Sequence, residues 1–132
     1  MTNEEANKIS GSVIGAAMKV HRVLGRGFQE LIYQRALAIE FQNRFIDFER
    51  EMSMQIFYEE ELIGTRRVDF FVEDFLMVEI KAVSELDDSH LAQTMNYCQV
   101  YNLPYGLLIN FGSGSLQYKR YLSIYKGTEY DK

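Results

Sequence analysis

The sequence predicts an α/β fold class in which a mixed central sheet of about five strands is flanked by helices. Apolar residues recur at helical spacing in the first part of the chain. The middle changes to the two-residue period of strands, and a nearly continuous apolar run follows from Phe75 to Val83. With 132 residues, of which 47% are hydrophobic, the chain can bury one core. We therefore expect residues 1–132 to form a single domain.

Two helices are expected before the first strand. Apolar side chains follow helical spacing from Glu4 to Leu24, and the glycines of Gly25-Arg26-Gly27 should end that helix. A second helix is predicted from about Gln29 to about Asn43, with Glu30 in its first turn, where the helix dipole favours an acid. Because apolar residues cover two of its sides, this second helix should be mostly buried.

Further strands and one more helix should complete the chain. Acidic turns at Glu59-Glu60-Glu61 and Glu73-Asp74 are predicted between the first three strands, which would then pair as antiparallel hairpins. A helix between the third and fourth strands would supply a right-handed parallel crossover. The predicted strands are Met54–Tyr58, Thr65–Val72, Phe75–Val83, Tyr105–Asn110 and Leu116–Tyr125, and the helix is His90–Tyr101.

The composition narrows the expected setting of the protein. A single cysteine, Cys98, can form neither an internal disulfide nor a cysteine-rich zinc site, so a reducing cytoplasm is the expected location. The first residues are acidic where a secretion signal would be basic. No apolar run approaches the roughly 20 residues that span a bilayer. We therefore expect a soluble protein without a membrane partner.

The net charge of −5 bears on nucleic-acid binding. Proteins that hold nucleic acid by general electrostatics are usually basic, so this charge argues against broad, tight binding. A metal site requires carboxylates, however, and a bound divalent ion reverses the local charge. The acidity therefore weakens a nucleic-acid function without excluding it.

Three residues on two neighbouring predicted strands carry the most specific chemistry. Alternate residues of a strand face the same way, so Glu79 and Lys81 should project from one face. If the strands pair across the turn at Glu73-Asp74, Asp69 can approach Glu79 closely. Two carboxylates at that distance repel each other unless a cation joins them, and Mg²⁺ or Mn²⁺ suits oxygen ligands. Such an ion, with a lysine alongside, can promote the hydrolysis of a phosphodiester.

The order of these residues resembles the PD-(D/E)XK nuclease superfamily, with Val68 where the motif name has proline. The segment Gly27-Phe28-Gln29-Glu30-Leu31-Ile32-Tyr33 matches the signature of the GxxExxY protein family, a branch of that superfamily. Gln93-Thr94-Met95-Asn96-Tyr97 is similar to the Q-x-x-x-Y element that follows Glu-x-Lys in exonuclease-like branches. The resemblance extends from about Val13 to about Tyr121.

The resemblance implies a restriction-endonuclease-like core and a nuclease that depends on Mg²⁺ or Mn²⁺ and acts on DNA or RNA. Asp69 and Glu79 would bind the metal with the Ile80 carbonyl, and Glu30 would complete the acidic cluster. Lys81 would be the catalytic lysine. The catalytic set implied in this way is Glu30, Asp69, Glu79, Lys81, Gln93 and Tyr97.

Several alternatives remain open at this stage. Arg22 and Arg26 could bind substrate phosphate together with Arg66 and Arg67, or the first two could simply form a solvated helix end. The net charge and small size also fit a non-catalytic module that keeps the fold and binds a protein or a nucleic acid. A homodimer with one shared substrate groove is a third hypothesis, because the 14% aromatic content leaves enough Tyr and Phe for an interface.

Overall fold

The computed structural model describes residues 2–122. Its elements are α1 (Asn3–Leu24), α2 (Glu30–Asn43), β1 (Phe48–Tyr58), β2 (Glu61–Val72), β3 (Leu76–Lys81), α3 (Asp88–Val100), β4 (Tyr105–Asn110) and β5 (Gln117–Leu122). The five strands form one mixed sheet flanked by helices, which confirms the predicted α/β class.

The strands lie in the sheet in their chain order, β1-β2-β3-β4-β5. Neighbouring strands are antiparallel except β3 and β4, which are parallel and are joined through α3, as the crossover prediction required. Positive φ angles at Glu59 and Glu60 close the β1–β2 hairpin, and the same conformation at Glu73 and Asp74 closes the next one. The sheet thus brings β2, β3 and β4 side by side at its centre.

Each face of the sheet has its own apolar cluster. The larger cluster joins one face to α1 and α2 and includes Val78 and Ile80 of β3. The smaller cluster joins the other face to α3 and includes Met77 and Cys98. Because both faces of β3 are covered, its apolar run is continuous rather than alternating.

Two predictions about the elements were wrong. The second apolar strip of α2 is not buried, since Ile32 is 39% exposed and Ile39 58% exposed. One side of α2 packs on the sheet and on α1, and no other element covers that strip in the described part of the chain. Strand β1 begins at Phe48 rather than Met54, because it is a half-exposed edge strand whose early residues lack a clear alternation.

Strand β5 begins at Gln117, one residue after the predicted start at Leu116, and is described as far as Leu122. The remaining part of that prediction, residues 123–125, lies outside the described residues. Between residues 2 and 122, no helix combines the length and the hydropathy that crossing a membrane would require.

The β1–β2 hairpin changes face in the middle. Phe70 packs in the larger cluster, whereas Val68, only two residues earlier, packs in the smaller cluster on the opposite face. Glu51 on β1, at a positive φ of 58°, lies at the same level, and the pairing of Glu51 with Asp69 is missing from the ladder. The pairing of β2 with β3 extends only as far as Phe70↔Val78. Strand β2 therefore separates from β3 at Asp69.

Candidate active site

Asp69 occupies the point where β2 and β3 stop pairing. Its Oδ2 accepts a hydrogen bond of 2.8 Å from the backbone N–H of Ile80, in place of a carbonyl of the missing ladder. Its Oδ1 accepts one of 2.9 Å from Nε2 of Gln34, which reaches across from α2. The two donors fix the carboxylate between the strands.

Glu79 lies next to Asp69, on the face of β3 that is turned toward α3. The β2–β3 register, continued by one residue, puts Asp69 opposite Glu79. Glu79 is 3% exposed, and its Oε2 is 3.3 Å from Nη2 of Arg66. Its other oxygen, Oε1, is buried and, as an ionised acceptor, finds no donor among residues 2–122.

The environment of Glu79 favours its neutral form. Burial, followed by the charge of Asp69, raises the pKa of Glu79 to about 8, although Arg66 and Lys81 act in the opposite direction. At neutral pH the acidic pair therefore retains a proton that a cation could displace. The orphaned Oε1 and the retained proton are both consistent with a site that accepts a divalent ion.

Glu30 and Lys81 lie close to this pair. Glu30 is the first residue of α2 and its side chain is accessible to solvent. Partial burial of its carboxyl group is the main cause that raises its pKa. The charge of Lys81 most strongly opposes this increase in the pKa of Glu30, whereas the charge of Asp69 adds to the increase. Lys81 follows Glu79 on the same face of β3. The predicted residues of the acid–lysine set therefore lie in one neighbourhood, at the carboxyl end of β3.

The loop before α2 is held by Tyr33. The Tyr33 side chain is fully buried and stacks on Phe111 with ring centroids 4.7 Å apart. Its hydroxyl donates to the Gly25 carbonyl and accepts a bond of 3.2 Å from the backbone N–H of Phe28. Gly27 has a φ of 113°, which favours glycine. The Gly, Glu and Tyr of the motif thus form one local unit, in which the loop conformation sets where Glu30 begins the helix.

The two predicted residues of α3 differ in their surroundings. The Tyr97 ring lies under Arg66, whose Cζ is 4.8 Å from the ring centroid, and it packs against the smaller cluster. The Gln93 side chain is exposed and makes no hydrogen bond to another residue between 2 and 122. Tyr97 therefore touches the site through Arg66, while Gln93 stays at the surface.

The four predicted arginines do not form one patch. Arg66 contacts the acidic pair, whereas Arg67 points to the surface and pairs with Glu51 at 3.2 Å. Arg22 lies in the last turn of α1 and Arg26 in the following loop, and both are exposed. The change of face within β2 explains why Arg66, rather than Arg67, reaches Glu79.

Two residues near the site were missed by the sequence analysis. Gln34 follows Glu30 by one helical turn, which is the signal that could have indicated it. His90 acts on Glu30 by its charge, lowering the pKa of that carboxyl. Its Nδ1 lies 3.1 Å from the Asp87 backbone nitrogen and 3.2 Å from Asp87 Oδ1, so the ring is part of the N-terminal cap of α3.

The expected cluster of three acids is not assembled as a chelating group. Within residues 2–122, no three His, Cys, Asp or Glu side chains are grouped closely enough to hold a metal ion. The Asp69–Glu79 pair is formed, and Mg²⁺ commonly uses one or two carboxylates and keeps several waters. Phe111 N–H donates to the Lys81 carbonyl on the β4 side, so the preceding carbonyl, that of Ile80, points toward Asp69. The donors present therefore suit a hydrated divalent cation.

The fold and the site together define a class of protein. It is an α/β domain that carries paired carboxylates and a lysine at the end of a central strand. The profile of the PD-(D/E)XK nuclease superfamily matches residues 7–121, so the chain belongs to that superfamily. This membership supports a nuclease-type function.

A solved structure shares the fold. The crystal structure of SSO0001 superposes with a TM-score of 0.56 at 16% sequence identity, over 69% of this chain and 48% of that one. At this identity the likeness concerns the fold alone, and the chain spans about half the length of that protein. No curated protein matches the chain.

Proposed function

We propose that this protein is a nuclease of the GxxExxY branch that uses Mg²⁺ or Mn²⁺ to hydrolyse phosphodiester bonds of DNA or RNA. The observation that carries the proposal is the Asp69–Glu79 pair, with a buried oxygen that lacks a donor among residues 2–122. We further propose that residues 1–132 act as one nuclease-like domain and that a reducing cytoplasm is its location.

In this proposal Asp69, Glu79 and the Ile80 carbonyl hold the cation. The ionised carboxylate of Glu30 joins them when the cation attracts it. A divalent cation at this position would polarise a phosphate oxygen and make a neighbouring water more acidic. Loss of the Glu79 proton accompanies binding, because ligands must be deprotonated. Gln34 and the Ile80 N–H keep Asp69 oriented throughout.

Lys81 has the role of placing the attacking water and stabilising the negative charge that develops on the phosphate. Its ammonium lowers the pKa of both Glu30 and Glu79, and its side chain is half-buried beside them. Arg66 and Tyr97 flank the acids, and Arg22, Arg26, Arg67 and Gln93 are proposed as more distant substrate contacts. With few cations near the site, binding should involve few phosphates and show a shallow dependence on salt.

The test is cleavage by the purified protein in Mg²⁺ or Mn²⁺. Glu79→Ala and Lys81→Ala should each abolish hydrolysis, whereas Glu61→Ala and Lys8→Ala change exposed residues of the same charge and should have no effect. The assay uses single-stranded, duplex and structured DNA and RNA as substrates. A folded wild-type protein that binds the metal but cleaves none of them would contradict the proposal.

A second candidate is a non-catalytic module that binds a protein or nucleic-acid partner, as a monomer or a homodimer. It is favoured by the exposed apolar strip of α2 and by the lack of a three-acid chelating group within residues 2–122. Calorimetry separates the two functions, because a folded protein that binds neither Mg²⁺ nor Mn²⁺ would favour the module. Light scattering tests the dimer, and a monomer at working concentration would exclude it.

A further inference from the structure

Arg66 is the cation closest to the acidic pair among the described ion pairs. Its Nη2 lies 3.3 Å from Glu79 Oε2, and its guanidinium lies above the Tyr97 ring. Its side chain is 31% exposed, so it lies between the buried acids and solvent. Its Nε is buried without a hydrogen-bond acceptor among residues 2–122. The guanidinium thus has contacts on two sides and an unused donor.

We propose that Arg66 is the resident counter-ion of the acidic pair and exchanges with the divalent cation. When the cation binds, the guanidinium leaves Glu79 but stays over Tyr97, where it binds a phosphate group of the substrate. The inference rests on the proposed function, since it assumes that the acidic pair binds a metal and that the ligand is a phosphodiester.

Charge balance around Glu79 favours such an exchange. Two ionised carboxylates compensate one divalent cation, which leaves the Arg66 charge uncompensated beside a second positive charge. Like charges a few ångströms apart repel strongly where water is scarce. The free oxygen of Glu79, Oε1, is the one that the cation would take, and Arg66 contacts the other oxygen of the same carboxylate, Oε2. Repulsion by a cation this close therefore displaces Arg66 from Glu79.

The geometry favours release of Arg66 and its reuse. The contact to Glu79 involves one nitrogen at 3.3 Å, longer than the 2.7–2.9 Å typical of charge-assisted bonds. The planar fork of arginine matches a phosphate through two nitrogens, and Nε, which is buried, has no acceptor among residues 2–122 to give up when the guanidinium moves. The Tyr97 ring attracts the guanidinium independently of Glu79. Tyr97 thus keeps Arg66 at the site after the ion pair is broken.

The first arm of the test is calorimetry with Mn²⁺ on the full chain. Arg66→Gln removes the competitor and should tighten Mn²⁺ binding about tenfold, which corresponds to about 1.4 kcal/mol. Arg50→Gln is the matched control, since it removes one positive charge from an exposed position on β1, and it should leave Mn²⁺ affinity unchanged. Unchanged or weaker Mn²⁺ binding by Arg66→Gln would overturn the exchange.

The second arm measures a fluorescent 12-nucleotide single-stranded DNA, with Lys81→Ala in every protein to prevent cleavage. Arg66→Gln should weaken binding of this DNA when Mn²⁺ is present and have little effect without it. An equal loss in both conditions would mean that Arg66 contacts phosphate whether or not the metal is bound, which contradicts the exchange. Tyr97→Leu should reproduce the loss without changing Mn²⁺ affinity.

A third arm needs no substitution at Arg66. In wild-type protein labelled with ¹⁵N-arginine, Mg²⁺ should shift the Nε–H signal of Arg66 and leave that of Arg50 in place.

Failure of the proposed exchange can be distinguished from failure of the proposed nuclease function. Cleavage by a wild type whose Mn²⁺ affinity equals that of Arg66→Gln overturns the exchange alone. Tighter Mn²⁺ binding by Arg66→Gln without wild-type cleavage of any substrate overturns the nuclease alone, and no Mn²⁺ binding by either protein overturns both.

Discussion

Gln34 donates a 2.9 Å hydrogen bond to Asp69, and through it helix α2 is tied to the strand that carries the first acid of the site. The Gln34 side chain is buried, and its Oε1 has no donor among residues 2–122. A buried amide with only one of its two ends satisfied is costly to keep for packing alone. Its position indicates that it orients Asp69.

Replacing Gln34 should therefore loosen the acidic pair. Gln34→Ala is expected to weaken Mn²⁺ binding by about 10- to 100-fold, the range seen when a group that orients a metal ligand is lost. Calorimetry gives the affinity, and urea unfolding shows whether the fold is retained. Gln42→Ala alters an exposed glutamine of the same helix and should leave Mn²⁺ binding alone. Equal affinities for the two variants would show that Gln34 only fills space.

Tyr33 should contribute to stability through its hydroxyl. Tyr33→Phe leaves the Gly25 carbonyl and the Phe28 N–H without their side-chain partner, while the stack on Phe111 is kept. Loss of a partner from part-buried backbone groups should lower the free energy of unfolding by about 1–3 kcal/mol. Tyr118→Phe, at an exposed tyrosine, is the control for urea unfolding. A Tyr33→Phe variant as stable as wild type would show that the Tyr33 hydroxyl does not stabilise the loop before α2.

The raised pKa of Glu79 predicts how stability depends on pH without metal. Between its ordinary pKa of 4.5 and about 8, the folded protein keeps this proton while the unfolded chain loses it. The folded state then binds more protons than the unfolded state, so the contribution of Glu79 to stability falls as pH rises through this window. Below about 4.5 both states are protonated, and above about 8 both are ionised, so the contribution levels off.

The measurement compares wild type with Glu79→Gln in EDTA. Chemical unfolding at pH 5.5, 7 and 8.5 should show the wild type losing stability relative to the variant as pH rises, because glutamine does not titrate. Other titrating groups contribute alike to both proteins and cancel in the difference. A difference in unfolding free energy that stays constant with pH would contradict the raised pKa. Saturating Mn²⁺ should remove the trend, because it favours the ionised pair.

Much of the fold follows from the sequence because the pattern of β3 is strong. Its continuous apolar run predicted a central strand, and the alternation within it assigned Glu79 and Ile80 to opposite faces, which the two apolar clusters confirm for Ile80 and Met77. The parallel crossover followed from the helix between β3 and β4. These features depend on local periodicity, which a single sequence displays directly.

The remaining details of the site depend on the separation of β2 from β3, which periodicity does not reveal. Regular alternation along β2 would place Asp69 and Arg67 on the same face. Because the strand changes face at Asp69, Arg66 contacts Glu79 and Arg67 lies at the surface. The bond from Gln34 likewise exists only because Asp69 lies in the gap between the strands. Both features arise from tertiary structure, and residue spacing indicates only that Gln34 lies one helical turn after Glu30.

Gly112 should be required for the position of the segment that follows Lys81. A Cβ on Gly112 would lie 2.3 Å from the Val83 carbonyl oxygen and 2.5 Å from the Val83 nitrogen, both of which are backbone atoms. The buried Asn110 side chain holds the same segment, accepting the Val83 N–H and donating to its carbonyl. Gly112→Ala must therefore push this backbone aside or break those bonds.

The expected cost of Gly112→Ala is about 1–3 kcal/mol of stability, as for other overpacked positions, with reduced cleavage because β3 ends beside the displaced segment. Gly114→Ala is the matched control, because a Cβ there meets no atom within 4 Å and its φ lies outside the region that favours glycine. Urea unfolding of the two variants provides the comparison. If Gly112→Ala matched Gly114→Ala in stability, the contact between this loop and Val83 would not constrain the end of β3.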